Sequence, residues 1–130
     1  MKLYHLFEMF HPDLDLNSKM LILKKKYKLD SFHLYFNYLG DIHLDSLIVP
    51  KALRKQGIGS KVMKELVELA DEHKLRIILT VAHKDDDMGT TSRARLISFY
   101  KRFGFTENKG RNKDFRVMSS MIYRPKGYKE

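Results

Sequence analysis

Leu47-Ile48-Val49-Pro50-Lys51-Ala52-Leu53-Arg54-Lys55-Gln56-Gly57-Ile58-Gly59-Ser60 is the stretch from which the rest of the chain can be read. An apolar strand runs into a basic turn and then into a helix, whose apolar stripe continues through Ile58, Val62, Leu66, Leu69 and Ala70. Two glycines separated by one residue let backbone N–H groups approach an anion with no Cβ in the way, and the helix start adds unpaired donors and the positive end of its dipole. Arg54, Lys55 and Lys61 add charge. These features describe a phosphate-binding loop, although the glycines alone would also serve a tight strand-to-helix turn. Val62 stands where a dinucleotide-binding fingerprint has its third glycine, and no Gly-Lys-Ser/Thr follows. Rossmann and P-loop nucleotide sites are therefore disfavoured.

Outward from this loop, the helix is predicted over residues 57–73. Upstream, residues 32–39 and 42–49 read as an antiparallel hairpin turning at Gly40-Asp41. Before it, Leu16, Met20, Leu23 and Tyr27 recur at helical spacing, with Asn17 or Ser18 as cap and lysines on the other face. Residues 3–9 read as a first strand or a short helix, an apolar pattern too brief to separate the two, with the strand preferred. Downstream, residues 76–81 form a short apolar run suited to a buried strand, and a polar loop follows over 82–91. A second helix is predicted over 92–103, ended by Gly104, with closing strands at 105–107 and 118–123 around a basic loop at 109–113. Strands and helices alternate in a single mixed α/β arrangement, a partly antiparallel sheet flanked by helices, expected to form one domain over residues 1–130.

Composition limits what such a domain can do. The 130 residues are 43% hydrophobic and 32% charged, the balance of a soluble globular protein. There is no cysteine, which excludes a disulfide scaffold, a thiolate metal site and a cysteine nucleophile. The six histidines show no metal-ligand spacing, so no metal is expected. Apolar runs fall far short of the roughly 20 residues a membrane span needs, and the N-terminus lacks the apolar core of a secretory signal. A cytoplasmic protein with no membrane partner is expected. The 25 basic residues against 16 acidic ones leave a formal charge of +9, which attracts polyanions: nucleic acid, an acidic protein or a phosphorylated cofactor.

Arg54-Lys55-Gln56-Gly57-Ile58-Gly59 resembles the Arg/Gln-x-x-Gly-x-Gly/Ala signature of the GNAT superfamily of acyl-CoA-dependent N-acetyltransferases. Tyr100-Lys101-Arg102-Phe103-Gly104-Phe105 is similar to that family's Tyr-x-x-x-Gly-Phe motif, and the strands and helices between follow the family's order. The resemblance covers about residues 42–123. It implies a largely antiparallel mixed sheet that splays at its centre to admit the cofactor. Backbone groups of Leu47, Ile48 and Val49 would then pair with the pantetheine arm, and the amides of Gln56, Gly57, Ile58, Gly59 and Ser60 would hold the pyrophosphate, with Arg54 and Lys55 beside it. The implied activity is direct transfer of an acetyl group from acetyl-CoA to a primary amine, carried by a small molecule or a peptide.

Such transfer requires a base for the amine and a proton for the leaving thiolate. The resemblance implies Tyr100 as the general acid; the competing reading makes it a core tyrosine packed with Leu96, Phe99 and Phe103. For the base, His43 and Asp45 share a strand face by parity along residues 41–47, and His43 lies eleven residues before Arg54, close to where many relatives place a glutamate. A histidine titrates near neutrality, whereas Asp45 would need a raised pKa or a water relay. Seven residues before Tyr100, where many relatives have a coenzyme-contacting asparagine, this chain has Arg93 preceded by Ser92. Either Ser92 substitutes in part or Arg93 takes a coenzyme phosphate. Asp85-Asp86-Asp87 would suit a cationic amine or be simply solvated. The alternative functions are a basic nucleic-acid-binding module, using Lys24-Lys25-Lys26 and residues 109–113, and a non-catalytic acyl-CoA sensor. Aminoacylated RNA is a further candidate acceptor, and the chain is expected to be a monomer or homodimer.

Overall fold

A computed structural model of the chain describes residues 15–81 and 93–128. The expected strand at residues 3–9 and the polar loop at 82–91, with Asp85-Asp86-Asp87 and Ser92, lie outside the described residues. Helix α1 spans Leu16–Lys26 and buries Leu16 and Leu23. Its cap is Asp15 rather than Asn17 or Ser18: Asp15 Oδ1 accepts from the Ser18 amide at 3.1 Å, and the Ser18 hydroxyl donates to Asp15 Oδ2 at 2.7 Å. A carboxylate one turn earlier satisfies the free amide and sits at the positive end of the dipole.

Strands β1 (Ser31–Phe36) and β2 (Ile42–Ile48) form the expected hairpin. Its turn includes the expected Gly40, which has a φ of +83° and whose amide donates to the Asn37 carbonyl at 3.0 Å, and Asn37 Oδ1 braces it by accepting from the amides of Leu39 at 3.0 Å and Asp41 at 2.7 Å. Asp41 points inward. Its carboxylate accepts Nε and Nη2 of the buried Arg76 at 2.9 and 2.6 Å, and Arg76 Nη1 reaches Asp114 at 2.8 Å. The hairpin carries a bulge: His33 pairs with Ser46 and Leu34 with Leu44, so Asp45 is the extra residue on β2. Facing the irregularity, the Leu34 amide donates to Met20 Sδ at 3.3 Å.

Helix α2 (Ile58–His73) buries Val62, Met63, Leu66, Leu69 and Ala70. It is followed by the fully buried strand β3 (Ile77–Leu79), helix α3 (Arg93–Lys101), and the short strands β4 (Thr106–Glu107) and β5 (Met121–Tyr123). The sheet order is β1-β2-β3-β5-β4. Among the described residues only β2 and β3 run parallel, and every other strand pair is antiparallel. This is the mixed, largely antiparallel sheet flanked by helices that the sequence predicts. The main core joins α1 and α2 to the sheet face bearing Phe32, Leu34, Phe36, Ile42, Leu44, Ile77, Leu79 and Met121. On the other face Ile78, Val117 and Ile122 form a smaller cluster with Leu39.

Candidate active site

The sheet opens where the parallel pair ends. β2 and β3 are in register from Ile42 with Ile77 to Leu44 with Leu79, and β2 then runs on to Ile48 with no β3 partner. Beyond Leu79, the Val81 amide donates instead to Ser120 Oγ at 2.7 Å. The bulge at Asp45 coincides with this divergence and alters strand parity. Ile42 and Leu44 face the main core, yet so does Leu47, which strict alternation would place beside His43 and Asp45.

From β2 the chain passes through a short 3-10 turn, Lys51–Leu53, to the start of α2. The loop is tied back by Arg54, whose Nε donates to the Val49 carbonyl at 3.0 Å. Lys55 and Gly57 both have positive φ, +67° and +72°. Gly57 occupies the N-cap of α2 and supplies no side-chain cap, and the first turn holds no acidic residue. The first helical bond is from the Lys61 amide to the Gly57 carbonyl, at 3.1 Å. The preceding amides of Ile58, Gly59 and Ser60 therefore have no intrahelical acceptor, and the dipole favours an anion before them. Space above Gly57 is clear, since an added Cβ would meet nothing within 4 Å. A diphosphate fits this donor set: main-chain N–H groups, no competing carboxylate, and lysines on both sides.

Helix α3 braces both sides of the opening. At its start, Arg93 Nη1 donates to the Val81 carbonyl at 2.6 Å. Further along, Phe99 lies against the beginning of α2, with its Cζ 3.5 Å from where a Cβ on Gly59 would stand. Beside this contact is a shallow hollow of about 280 Å³ lined by Ala94, Arg95, Ser98, Phe99 and Arg102. The Arg102 guanidinium lies over the Phe99 ring at 5.2 Å. Sequence reasoning missed this hollow, although Arg95, Ser98, Phe99 and Arg102 stand three and four residues apart on one helical face.

Tyr100 is partly buried against the main core, its ring 5.2 Å from that of Phe99 and 5.7 Å from that of Phe105. Burial raises its pKa, so the phenol is held protonated. Its hydroxyl has no hydrogen-bond partner among the described residues, which leaves the proton available for donation. His43 lies on the opposite sheet face, in register with Ile78. Burial lowers its pKa, partly offset by the Asp45 charge, so its imidazole is neutral around pH 7. Asp45 shares that face and contacts His33, 3.2 Å from its Nδ1.

The structure thus gathers Arg54, Lys55, Gln56, Gly57, Ile58, Gly59 and Ser60 in one loop at the end of β2. It sets Leu47, Ile48 and Val49 along the diverging edge and places Arg93 across from them. Tyr35 and His33 were not singled out by sequence, yet each is a neighbour of a residue that was. Counting back from Gly40-Asp41 would have paired His43 with Tyr38; the longer observed turn, from Phe36 to Ile42, makes its partner Tyr35. Among the described residues no group of three His, Cys, Asp or Glu side chains could hold a metal, and no helix is long and apolar enough to cross a membrane.

A family model described as an acetyltransferase (GNAT) domain matches residues 24–107. Among solved structures, that of the anti-CRISPR protein AcrVA5 is similar: it is 25% identical, with a TM-score of 0.52, over 71% of this chain and 86% of that one. No curated protein matches the chain.

Proposed function

The chain belongs to the GNAT acetyltransferase domain family, and on that premise we propose that it transfers an acetyl group from acetyl-CoA directly to a primary amine in a ternary complex. The observation that carries this reading is the uncapped, acid-free start of α2 at the end of the strand that leaves its parallel neighbour. Arg54, Lys55 and the amides of residues 56–60 would hold the diphosphate. Main-chain groups of Leu47, Ile48 and Val49, which follow the last pairing with β3 at Leu44, would hold the pantetheine arm, the Val49 carbonyl being already bonded to Arg54. Arg95, Arg102 and the Phe99 ring would take the adenosine end with its further phosphate, since arginines bind phosphate by geometry and charge and a ring offers a stacking face.

Acetyl-CoA supplies an activated acyl group and a thiolate leaving group. The residues around it supply the proton handling. Neutral His43, on one sheet face, accepts a proton from the amine; Tyr100, on the core face, gives its phenolic proton to the departing sulfur. An opening through the sheet makes this division natural, because the amine can approach from one face while the thiolate is protonated from the other. The acceptor is a small-molecule or peptide amine. The test is release of coenzyme A when acetyl-CoA is mixed with amines, polyamines, peptides and aminoacylated RNA. The chain has no cysteine, so a thiol reagent reads the product without background. Thiol release that depends on an acceptor is expected; acetyl-CoA binding by calorimetry with no release for any acceptor would leave a sensor instead.

A further inference from the structure

Tyr35 and His43 are register partners in the hairpin, and the Tyr35 hydroxyl lies 2.8 Å from His43 Nδ1. The two rings are 4.7 Å apart. Beyond them on the same face, the His33 ring is 5.6 Å from Tyr35, and His33 is held by Asp45. The ionisable groups facing His43 are thus Tyr35, His33 and Asp45 from the two hairpin strands, while its register partner on β3 is the apolar Ile78.

A neutral imidazole has one N–H and one lone pair, so the bond to Tyr35 has two forms. If the phenol donates to Nδ1, the ring proton sits on Nε2 and that nitrogen cannot accept another. If Nδ1–H donates to the phenolic oxygen, Nε2 keeps its lone pair. Nε2 has no partner among the described residues, whereas Nδ1 is held. The second form also survives protonation of the ring without rearrangement, because Nδ1–H donates to the same oxygen before and after.

We propose that Tyr35 is a positioning residue that accepts Nδ1–H of His43 and so keeps Nε2 open for the proton of the acceptor amine. The amine N–H bond breaks, its electron pair stays on nitrogen for attack on the acyl carbon, and the proton forms Nε2–H. The imidazolium, still donating Nδ1–H to Tyr35, afterwards releases the Nε2 proton to water. This rests on His43 being the base of the transfer proposed above.

The experiment is nitrogen NMR of histidine-labelled protein above the His43 titration, with turnover measured in parallel. The wild type should show the Nδ1–H tautomer at His43, and Tyr35→Phe should lose it. The same substitution should lower kcat roughly tenfold at unchanged KM for acetyl-CoA, because it disturbs proton transfer and not cofactor binding. An Nε2–H tautomer in the wild type, or an unchanged tautomer in Tyr35→Phe, overturns the proposal. So does unchanged kcat in Tyr35→Phe once the tautomer has moved. The tautomer is read without substrate, so a protein that transfers no acyl group at all rejects the transferase reading by a separate measurement.

Discussion

Arg54 Nε donates to the carbonyl oxygen of Val49 at 3.0 Å, so the residue that opens the phosphate-loop signature is fastened to the end of the strand that precedes it. The guanidinium thereby fixes where the loop turns into α2, in addition to the charge it brings. A loop held in this way spends less entropy on ordering when the ligand arrives.

Arg54→Ala should therefore weaken acetyl-CoA binding by roughly tenfold to a hundredfold, the range for a lost hydrogen bond involving a charged group. Isothermal calorimetry measures it, with circular dichroism checking that the fold is retained. Undiminished affinity would show that the tie to Val49 is dispensable for binding.

The two loop glycines should fail differently. Gly57 has clear space above it but a φ of +72°, so Gly57→Ala should cost about 1 kcal/mol of stability through strain alone. Gly59 has an ordinary helical backbone but faces Phe99, whose ring already stands at contact distance from a Cβ. Gly59→Leu should push Phe99 aside and weaken acetyl-CoA binding at least tenfold. Thermal melts and calorimetry on both variants separate the two effects.

Tyr100→Phe should slow turnover roughly tenfold to a thousandfold with little change in acetyl-CoA affinity, since a general acid acts on developing charge and not on the bound ground state. Steady-state kinetics with a verified acceptor decides it. Equal kcat where chemistry limits the rate would leave Tyr100 a packing residue.

The rate with saturating acceptor should rise with pH through an ionisation below the ordinary histidine value of 6.5, because burial lowers the His43 pKa and the neutral form is the base. His43→Ala should remove that limb. A limb that persists in His43→Ala and disappears in Asp45→Ala would move the role to the carboxylate.

Stability should depend on the far end of the sheet. Arg76 is 1% exposed and bridges Asp41 and Asp114, so Arg76→Ala leaves the buried Asp41 carboxylate without its counter-charge, with the Asn37 side-chain amide still donating to it at 3.1 Å. Loss of roughly 3–5 kcal/mol is expected in urea unfolding. Arg116 and then Arg76 hold the Asp114 carboxyl well below its usual 3.8. Its contribution is present in full above that value and fades as pH falls through the folded-state ionisation, so Asp114→Asn should lose its difference from wild type in acid.

The candidate site was legible in sequence where its chemistry is local. A phosphate loop needs glycines, a helix start and nearby cations within a few residues, and all of them are contiguous from Arg54 to Ser60. The hollow on α3 was harder to see, because Phe99 acquires meaning only by lying against Gly59, forty residues earlier. The turn at Gly40 was legible, but the inward direction of Asp41 was not, for a similar reason. Gly40-Asp41 is a strong turn signal, but Asp41 is drawn inward by Arg76, a partner no local pattern announces.

Periodicity and spacing by themselves determined the hairpin, the long helix with its buried stripe, the mixed sheet and the glycine-bearing turn from strand into helix, because each follows from neighbours within a turn or a strand. Only the tertiary structure decided that β2 and β3 part after Leu44 and Leu79, that Asp45 is a bulge which turns Leu47 to the core, and that Tyr35 holds His43. Those outcomes depend on register between strands, and a shift of one residue exchanges the faces of a sheet while leaving every local preference of the chain unchanged.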